Sequence, residues 1–313
     1  MAILTVTLNP ALDLETHVDR LIPGQKLRCT PPRRDPGGGG INVARAVVTL
    51  GGAATAAVAS GGPGGAGLLQ RLAEAGVGVA ALPAPGDTRQ NLSVIEDATG
   101  AQFRFIFPGP GWASGDFEAV RTALLPLVAP GDLVVLSGSL PPGLSTADFL
   151  ALARALTEAG GQVVADTSGA PLTALAEAAL GLKILRMDDA EAQEMTGRPL
   201  TEAADSADVA RDLVARGAAE IAILARGAEG SILASADGAW FAPAAEVPVV
   251  SLTGAGDSFV AGATLALSRG MALPDVLVWG VSAASAAVTT EATELCDPEV
   301  FARLVATCAA RAI

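Results

Sequence analysis

The feature that most constrains this chain is a regular alternation of apolar β-type runs with helical patterns, from about residue 45 to the end. Ala56-Ala-Val-Ala-Ser60 precedes a helical stretch near 68–75. Leu133-Val-Val-Leu-Ser137 precedes a helix opened by Ser145 and supported by Asp148 three residues on. Val163-Val-Ala-Asp166 is a further strand, and Ile221-Ala-Ile-Leu224 follows a helix at about 206–216. The last helix starts with Asp297 as N-cap and Pro298 in its first turn. Strands that are apolar throughout and separated by helices predict an α/β fold, with a mostly parallel sheet covered on both faces.

Two segments break the rhythm. Residues 11–36 and about 88–107 hold alternating strands without helices between them, such as Gln102-Phe-Arg-Phe-Ile-Phe107. They predict a small β-sheet inserted as a lid in a single domain spanning 1–313. Lys26, Arg28 and Arg89, the cations best suited to a small anionic substrate, fall in these two segments.

Composition narrows the chemistry. The net charge of −13 disfavours nucleic acid as a partner. The longest uncharged stretch, residues 46–70, is broken by Gly, Ser, Thr and Pro, so no membrane span is expected. The first residues carry no basic region before their apolar run and read as a strand rather than a leader. Cys29, Cys296 and Cys308 are odd in number and widely separated, which favours a reducing cytoplasm. There is no Tyr and a single His, His17, so a general base is expected to be a carboxylate.

Two glycine motifs supply candidates for that chemistry. Thr253-Gly-Ala-Gly-Asp-Ser258 runs straight into the apolar helix of Phe259–Leu267. Glycines before a helix let backbone N–H groups converge on an anion at the positive end of the dipole. An Asp in the first turn can then take a proton from an attacking hydroxyl, although the same Asp can simply cap the helix. Pro36-Gly-Gly-Gly-Gly-Ile-Asn-Val-Ala-Arg45 is the second motif. Four glycines fit a backbone touched by ligand, with Asn42 opening the following helix; a flexible loop is the alternative. A third pattern, Gly62-Pro-Gly-Gly-Ala-Gly67 with Asp87 twenty residues on, formally matches a dinucleotide-binding turn. Pro63 within it, and the lack of a clear second strand before Asp87, argue against that use. No G-x-x-x-x-G-K-[ST] sequence occurs, which excludes a P-loop kinase.

Taken together, these residues resemble the ribokinase (PfkB) family of sugar kinases along the whole chain. Gly37–Ala46 matches the family's first signature, and Gly254–Asp257 its second. Within the family the chain is most similar to the ribokinase-type 6-phosphofructokinases. Lys26-Leu-Arg-Cys-Thr30, Thr88-Arg-Gln-Asn-Leu92 and Ser137-Gly-Ser-Leu-Pro-Pro-Gly143 support this, with a weaker echo in Glu294-Leu-Cys296. Relatives acting on fructose 1-phosphate or tagatose 6-phosphate usually carry Gly-Lys-Gly where this chain has Gly38-Gly39-Gly40.

The resemblance implies a three-layer α/β/α fold, cytoplasmic, and phosphoryl transfer from Mg²⁺-ATP to fructose 6-phosphate. Fructose 1-phosphate, tagatose 6-phosphate, or phosphosugar binding with little catalysis are the alternatives. It implies Asp257 as base, with the amides of Gly254, Ala255 and Gly256 stabilising the transferring group. Asp13, Gly38, Gly39 and Asn42 would hold the sugar hydroxyls. Arg89, Lys26 and Arg28 would bind the sugar's phosphate, with Ser139 completing the pocket. Dimerisation through the lid and a monovalent cation are further family expectations.

Two departures fall on the nucleotide side. Where relatives have Lys-Pro-Asn-x-x-Glu, this chain has Arg186-Met-Asp-Asp-Ala-Glu191, in which Glu191 and Asp188 are candidate Mg²⁺ ligands and Asp188 can alternatively cap a helix. Arg186 keeps the positive charge on a planar fork. Ala225-Arg-Gly-Ala-Glu-Gly230 lacks the first hydroxyl of its relatives, leaving Arg226, Gly227 and Gly230 for the nucleotide.

Overall fold

The computed structural model describes residues 1–291 and 294–313. The first strand, β1 (Ile3–Thr7), leads into β2 (Ala11–Val18) and β3 (Arg33–Gly37), and then into α1 (Gly39–Thr49). There follow β4 (Thr55–Ala59), α2 (Gly62–Glu74), β5 (Gly78–Leu82), β6 (Arg89–Glu96) and β7 (Ala101–Phe105). The middle of the chain is α3 (Ser114–Leu124), β8 (Leu133–Ser137), α4 (Thr146–Glu158), β9 (Gln162–Asp166) and α5 (Gly169–Glu177). Next come β10 (Leu182–Asp188), α6 (Asp189–Thr196), α7 (Ala203–Ala215), β11 (Ala219–Ala225), β12 (Gly230–Ser235) and β13 (Gly238–Pro243). The end is helical, with α8 (Ala255–Ser268), α9 (Leu273–Ala287) and α10 (Pro298–Thr307), before the short β14 (Arg311–Ala312).

Among the described residues ten strands form one sheet, ordered β14-β13-β12-β11-β10-β9-β8-β1-β4-β5. From β11 to β5 every neighbouring pair is parallel; β12, β13 and β14 close one edge antiparallel. All five residues of β1 and all five of β8 are buried, as expected of strands covered on both faces. One apolar cluster packs α3 to α7 on one face, through Phe117, Phe149, Leu172 and Leu213. The other packs α1, α2, α8, α9 and α10, through Ile41, Leu68, Phe259, Leu277 and Phe301. Each such side chain contributes about 1.5–3 kcal/mol by leaving water. The result is the expected three-layer α/β/α arrangement.

Helix starts follow the expected chemistry. Ser145 and Asp148 make a reciprocal capping box on α4, and Asp297 accepts from the amides of Glu299 and Val300 at 2.8 and 3.0 Å. α2 begins earlier than its apolar residues suggested, at Gly62, because its first turn is the glycine run itself.

The segments that lacked helices form a separate four-stranded sheet, β3-β2-β6-β7. It is mixed: β2 runs parallel to β6, pairing Asp13 with Asn91 and Val18 with Glu96, while β3 and β7 flank them antiparallel. Among the described residues no helix is long and apolar enough to cross a membrane.

Candidate active site

Two helix starts face each other at the carboxyl ends of the parallel strands, where open α/β sheets place their ligands. At α8, Gly254 takes a left-handed conformation (φ 79°) that a residue with a side chain would strain to adopt. This tight entry puts Asp257 in the first turn, just past Thr253 and Gly254, which line a cleft. Its Oδ2 accepts from Asn42 Nδ2 at 2.9 Å, so one hydrogen bond links the start of α8 to the start of α1. Burial pushes the Asp257 carboxyl up to about 7, and the nearby charge of Asp166 adds to the rise. The Asn42 hydrogen bond and the Arg186 cation oppose it.

The glycine run at α1 is explained largely by close packing. A side chain at Gly37 would occupy the space of the Asp13 carboxylate, and one at Gly40 would lie 2.6 Å from Thr7 Oγ1. Gly39 packs against Ser137 and would bring a Cβ to 2.9 Å from the Gly138 nitrogen. Gly38 caps the helix at φ 124°. The backbone of α1 is thereby drawn down onto β1, and Asp13 from the small sheet rests on Gly37. Asp13 Oδ1 accepts from Asn91 Nδ2 at 2.8 Å. Burial raises the Asp13 carboxyl, against the Asn91 hydrogen bond and the charges of Arg89 and Arg104.

The cleft is open to solvent. Asp13, Asn91, Arg104 and Gln102 line it from the small sheet, and Asn42, Arg45, Thr253 and Gly254 from the main body. Beside it, Arg89 donates to the carbonyls of Phe107 at 3.0 Å and Asn9 at 3.1 Å. The Asn9 side chain donates to Ser139 Oγ at 3.2 Å. Asn9 thus holds Arg89 and Ser139 in one corner, within the electrostatic reach of Asp13.

Lys26 and Arg28 are placed otherwise. Both lie exposed in the β2–β3 connection, and neither lines the cleft. The cations that do line the cleft are Arg45 and Arg104. Arg45 lies in the first signature but reads there as part of an amphipathic helix. Arg104 alternates with Phe103 and Phe105 on β7, a period-2 signal that could have identified it.

On the other side of α8, Arg186 packs about 3.4 Å from where a side chain at Gly256 would begin. Its Nη1 donates to Asp166 Oδ1 at 3.1 Å in a largely buried ion pair. Asp166 ends β9 beside this site; its position at the carboxyl end of a parallel strand was the available signal. Asp188 and Glu191 form a reciprocal cap on α6: Glu191 N donates to Asp188 Oδ1 at 2.9 Å, and Asp188 N to Glu191 Oε2 at 2.8 Å. One oxygen of each carboxylate is therefore committed. No group of three or more metal-ligating side chains stands together among the described residues. The remaining carboxylate oxygens, near Arg186, would fit a Mg²⁺ that arrives on a triphosphate and keeps most of its ligands as water and phosphate oxygen.

Arg226, expected beside the nucleotide, has its guanidinium engaged within the chain. Its guanidinium is 2% exposed and paired with Asp189 at 3.4 Å and Glu229 at 2.9 Å. It also donates to Ser206 Oγ and to the carbonyls of Thr201 and Glu202. Every side of the fork is engaged inside the protein, tying the β11–β12 turn to α6 and α7. Gly227 (φ 55°) and Gly230 (φ 131°) form that turn, and a side chain at Gly230 would strike the Ala242 carbonyl. The dinucleotide-like turn is also resolved. Gly64 N donates to Asp87 Oδ1 at 2.8 Å, so the chain's own carboxylate occupies the start of α2.

Comparison with known proteins agrees with this geometry. Residues 7–300 match the model of the pfkB family carbohydrate kinases. The chain is 37% identical over 307 residues to ATP-dependent 6-phosphofructokinase isozyme 2 of Mycobacterium tuberculosis, covering 97% of this chain and 90% of that one. It is 37% identical to the 1-phosphofructokinase of Xanthomonas campestris, over 84% of this chain and 83% of that one. The crystal structure of phosphofructokinase-2 from Escherichia coli in complex with fructose-6-phosphate superposes with a TM-score of 0.89 at 35% identity, covering 97% and 98% of the two chains. The chain belongs to the pfkB family of carbohydrate kinases, and it is a phosphotransferase.

Proposed function

We propose that the chain transfers the γ-phosphoryl group of ATP to the C1 hydroxyl of fructose 6-phosphate, giving fructose 1,6-bisphosphate and ADP. The observation that carries this reading is the Asp257–Asn42 bond: Asn42 lines a cleft shared by the small sheet and the body, and it holds the Asp257 carboxylate behind it. Asn42 fixes one carboxylate oxygen, leaving the other to accept the proton of the sugar hydroxyl as its oxygen attacks the phosphorus. A base near pH 7 suits that transfer at neutral pH. The amides of Gly254, Ala255 and Gly256 open the helix at its positive end and stabilise the charge on the moving phosphoryl group. Arg186, beside Gly256, adds a fixed cation on the donor side. Glu191 and Asp188 would hold a Mg²⁺ through their free oxygens, and that ion would supply charge neutralisation on the triphosphate.

On the acceptor side Asp13, Asn42 and the backbone at Gly38 and Gly39 hold the sugar hydroxyls, while Arg89 and Ser139 take the phosphate. Gly39 also bears on the choice of sugar. A lysine there, usual in relatives acting on fructose 1-phosphate or tagatose 6-phosphate, would collide with Ser137 and Gly138. That favours fructose 6-phosphate.

Phe103, Phe105, Ile106 and Phe107 are 40–58% exposed on and beside the outer strand β7, an apolar area that a second copy's lid would cover. In such a dimer Lys26 and Arg28 would serve the partner's cleft. A monovalent cation requirement, suggested by a potassium complex of the Escherichia coli neighbour, and a cytoplasmic location belong to the same reading.

The deciding experiment measures ADP release with fructose 6-phosphate, fructose 1-phosphate and tagatose 6-phosphate separately. The highest kcat/KM is expected with fructose 6-phosphate. A preference for either of the others would replace the substrate, and sugar binding without ADP release would replace the kinase reading by a binding role.

A further inference from the structure

Arg33 stands on β3, at the edge of the small sheet, and four carboxylates share its guanidinium. Nη2 meets Glu15 and Nε meets Asp35, each at 3.1 Å and each on the small sheet. Nη1 faces Glu291 at 3.7 Å and Glu294 at 3.9 Å, both from the segment between α9 and α10 in the main body. Leu295, next to Glu294, adjoins the start of α8, since a side chain at Gly254 would touch it. Glu15, Asp35, Gly254 and Leu295 all line the one cleft. Arg33 therefore joins the small sheet to the body at the rim of the cleft, from the opposite direction to Arg45, which reaches from α1 to the Pro36 carbonyl of β3.

We propose that Arg33 is a positioning residue: it holds the small sheet down over the cleft by converting a self-repelling acidic rim into a lid–body contact. Without the guanidinium, two carboxylates on the lid would face two on the body across the width of one side chain, and like charges at that range repel. A planar fork presents N–H groups in several directions and can serve both sides at once, which a lysine ammonium on its flexible stem does less well. The partners differ in a way that suits a closure that must reopen. Glu15 and Asp35 are 10% and 21% exposed, and so anchor Arg33 in the lid. Glu291 and Glu294 are 71% and 63% exposed, at longer range, and so release it readily. The consequence for phosphosugar affinity rests on the kinase reading; the closure itself does not.

The test uses the full chain with Arg33→Ala, with Glu291→Gln/Glu294→Gln, and with all three changes together. Two quantities are read: amide hydrogen exchange across Arg33–Gly37 without ligand, and the Kd of fructose 6-phosphate by calorimetry. Arg33→Ala is expected to speed exchange and to weaken binding by about three- to tenfold, the range for a small network of exposed pairs. The Gln pair should have a smaller effect, because it removes attraction without creating repulsion. The triple variant should recover at least half of the loss seen in Arg33→Ala, since it removes the repelling charges. Raising the salt from about 0.05 to 0.5 M should narrow the gap between wild type and Arg33→Ala. If Arg33 merely braces Glu15 and Asp35 within the small sheet, the triple variant will exchange and bind no better than Arg33→Ala, and the proposal is overturned. If the wild type binds no fructose 6-phosphate, the substrate reading falls. The exchange rates still decide the closure, sustained by slower exchange in the triple variant than in Arg33→Ala and refuted by equal rates.

Discussion

The residues proposed above for the acceptor side and those proposed for the donor side are built in opposite ways. On the acceptor side polar groups are held at one end and left open at the other: Asn42 grips one oxygen of Asp257, and Asn91 one oxygen of Asp13. On the donor side the conspicuous charges are turned inward. Arg226 is enclosed by six partners from α6, α7 and the neighbouring turns, and Asp188 and Glu191 cap one another. Charge in a motif is therefore a poor guide to ligand contact unless its hydrogen-bonding capacity is counted first.

The contrast can be broken by mutation. Asp257→Asn should lower kcat by about 10²–10⁴ while fructose 6-phosphate still binds, as seen by calorimetry beside turnover. Turnover near wild type would move the base elsewhere. In the wild type, activity should rise with pH through the region of 7 as that carboxyl loses its proton. Stability should run the other way. Between the ordinary value of 3.8 and about 7 the folded chain holds a proton that the unfolded chain has lost, so stability falls as pH rises across that window. Asp257→Asn should abolish this slope and melt higher than wild type at pH 8.

Next in size, Arg226→Ala should cost about 3–5 kcal/mol of stability, by stranding Asp189 and Ser206, with little change in the ATP KM of the surviving folded enzyme. A raised ATP KM in a protein of unaltered melting temperature would put Arg226 back at the nucleotide. Gly37→Ala should displace the Asp13 carboxylate and raise the sugar KM about tenfold, leaving the ATP KM near wild type. The smallest effect is expected for Asp188→Ala: loss of a cap worth about 1 kcal/mol, read by urea denaturation. A large shift in Mg²⁺ dependence there would mean that the free oxygen contributes more to the metal than the cap does to the helix.

The sequence carried the layers of the fold plainly, because apolar strands such as β8 and the caps Ser145 and Asp297 act locally. The glycine-led helix with Asp257 was legible for the same reason. What it carried poorly is whatever depends on tertiary neighbours. Asp166 acquires its influence on Asp257 only when β9 lies beside β10, and Arg104 only when β7 folds over the cleft. Lys26 and Arg28 fall in an exposed loop and Arg89 at the start of β6, a difference of setting that sequence proximity does not convey. Arg226 looked available because nothing in its own segment announces Ser206 or Asp189. Asp87 was the converse: its spacing mimicked a ribose-binding acid, and it proves to be the anion at its own helix.

The parallel pairing of β2 with β6 has a further consequence, for the order of folding. These partners are separated by about seventy residues that include α1, β4, α2 and β5, so the small sheet cannot nucleate by itself. Closing so long a loop is slow until the intervening βα units have brought its ends together. Competence to recognise sugar should therefore arrive late during refolding, after most of the native helical signal has returned.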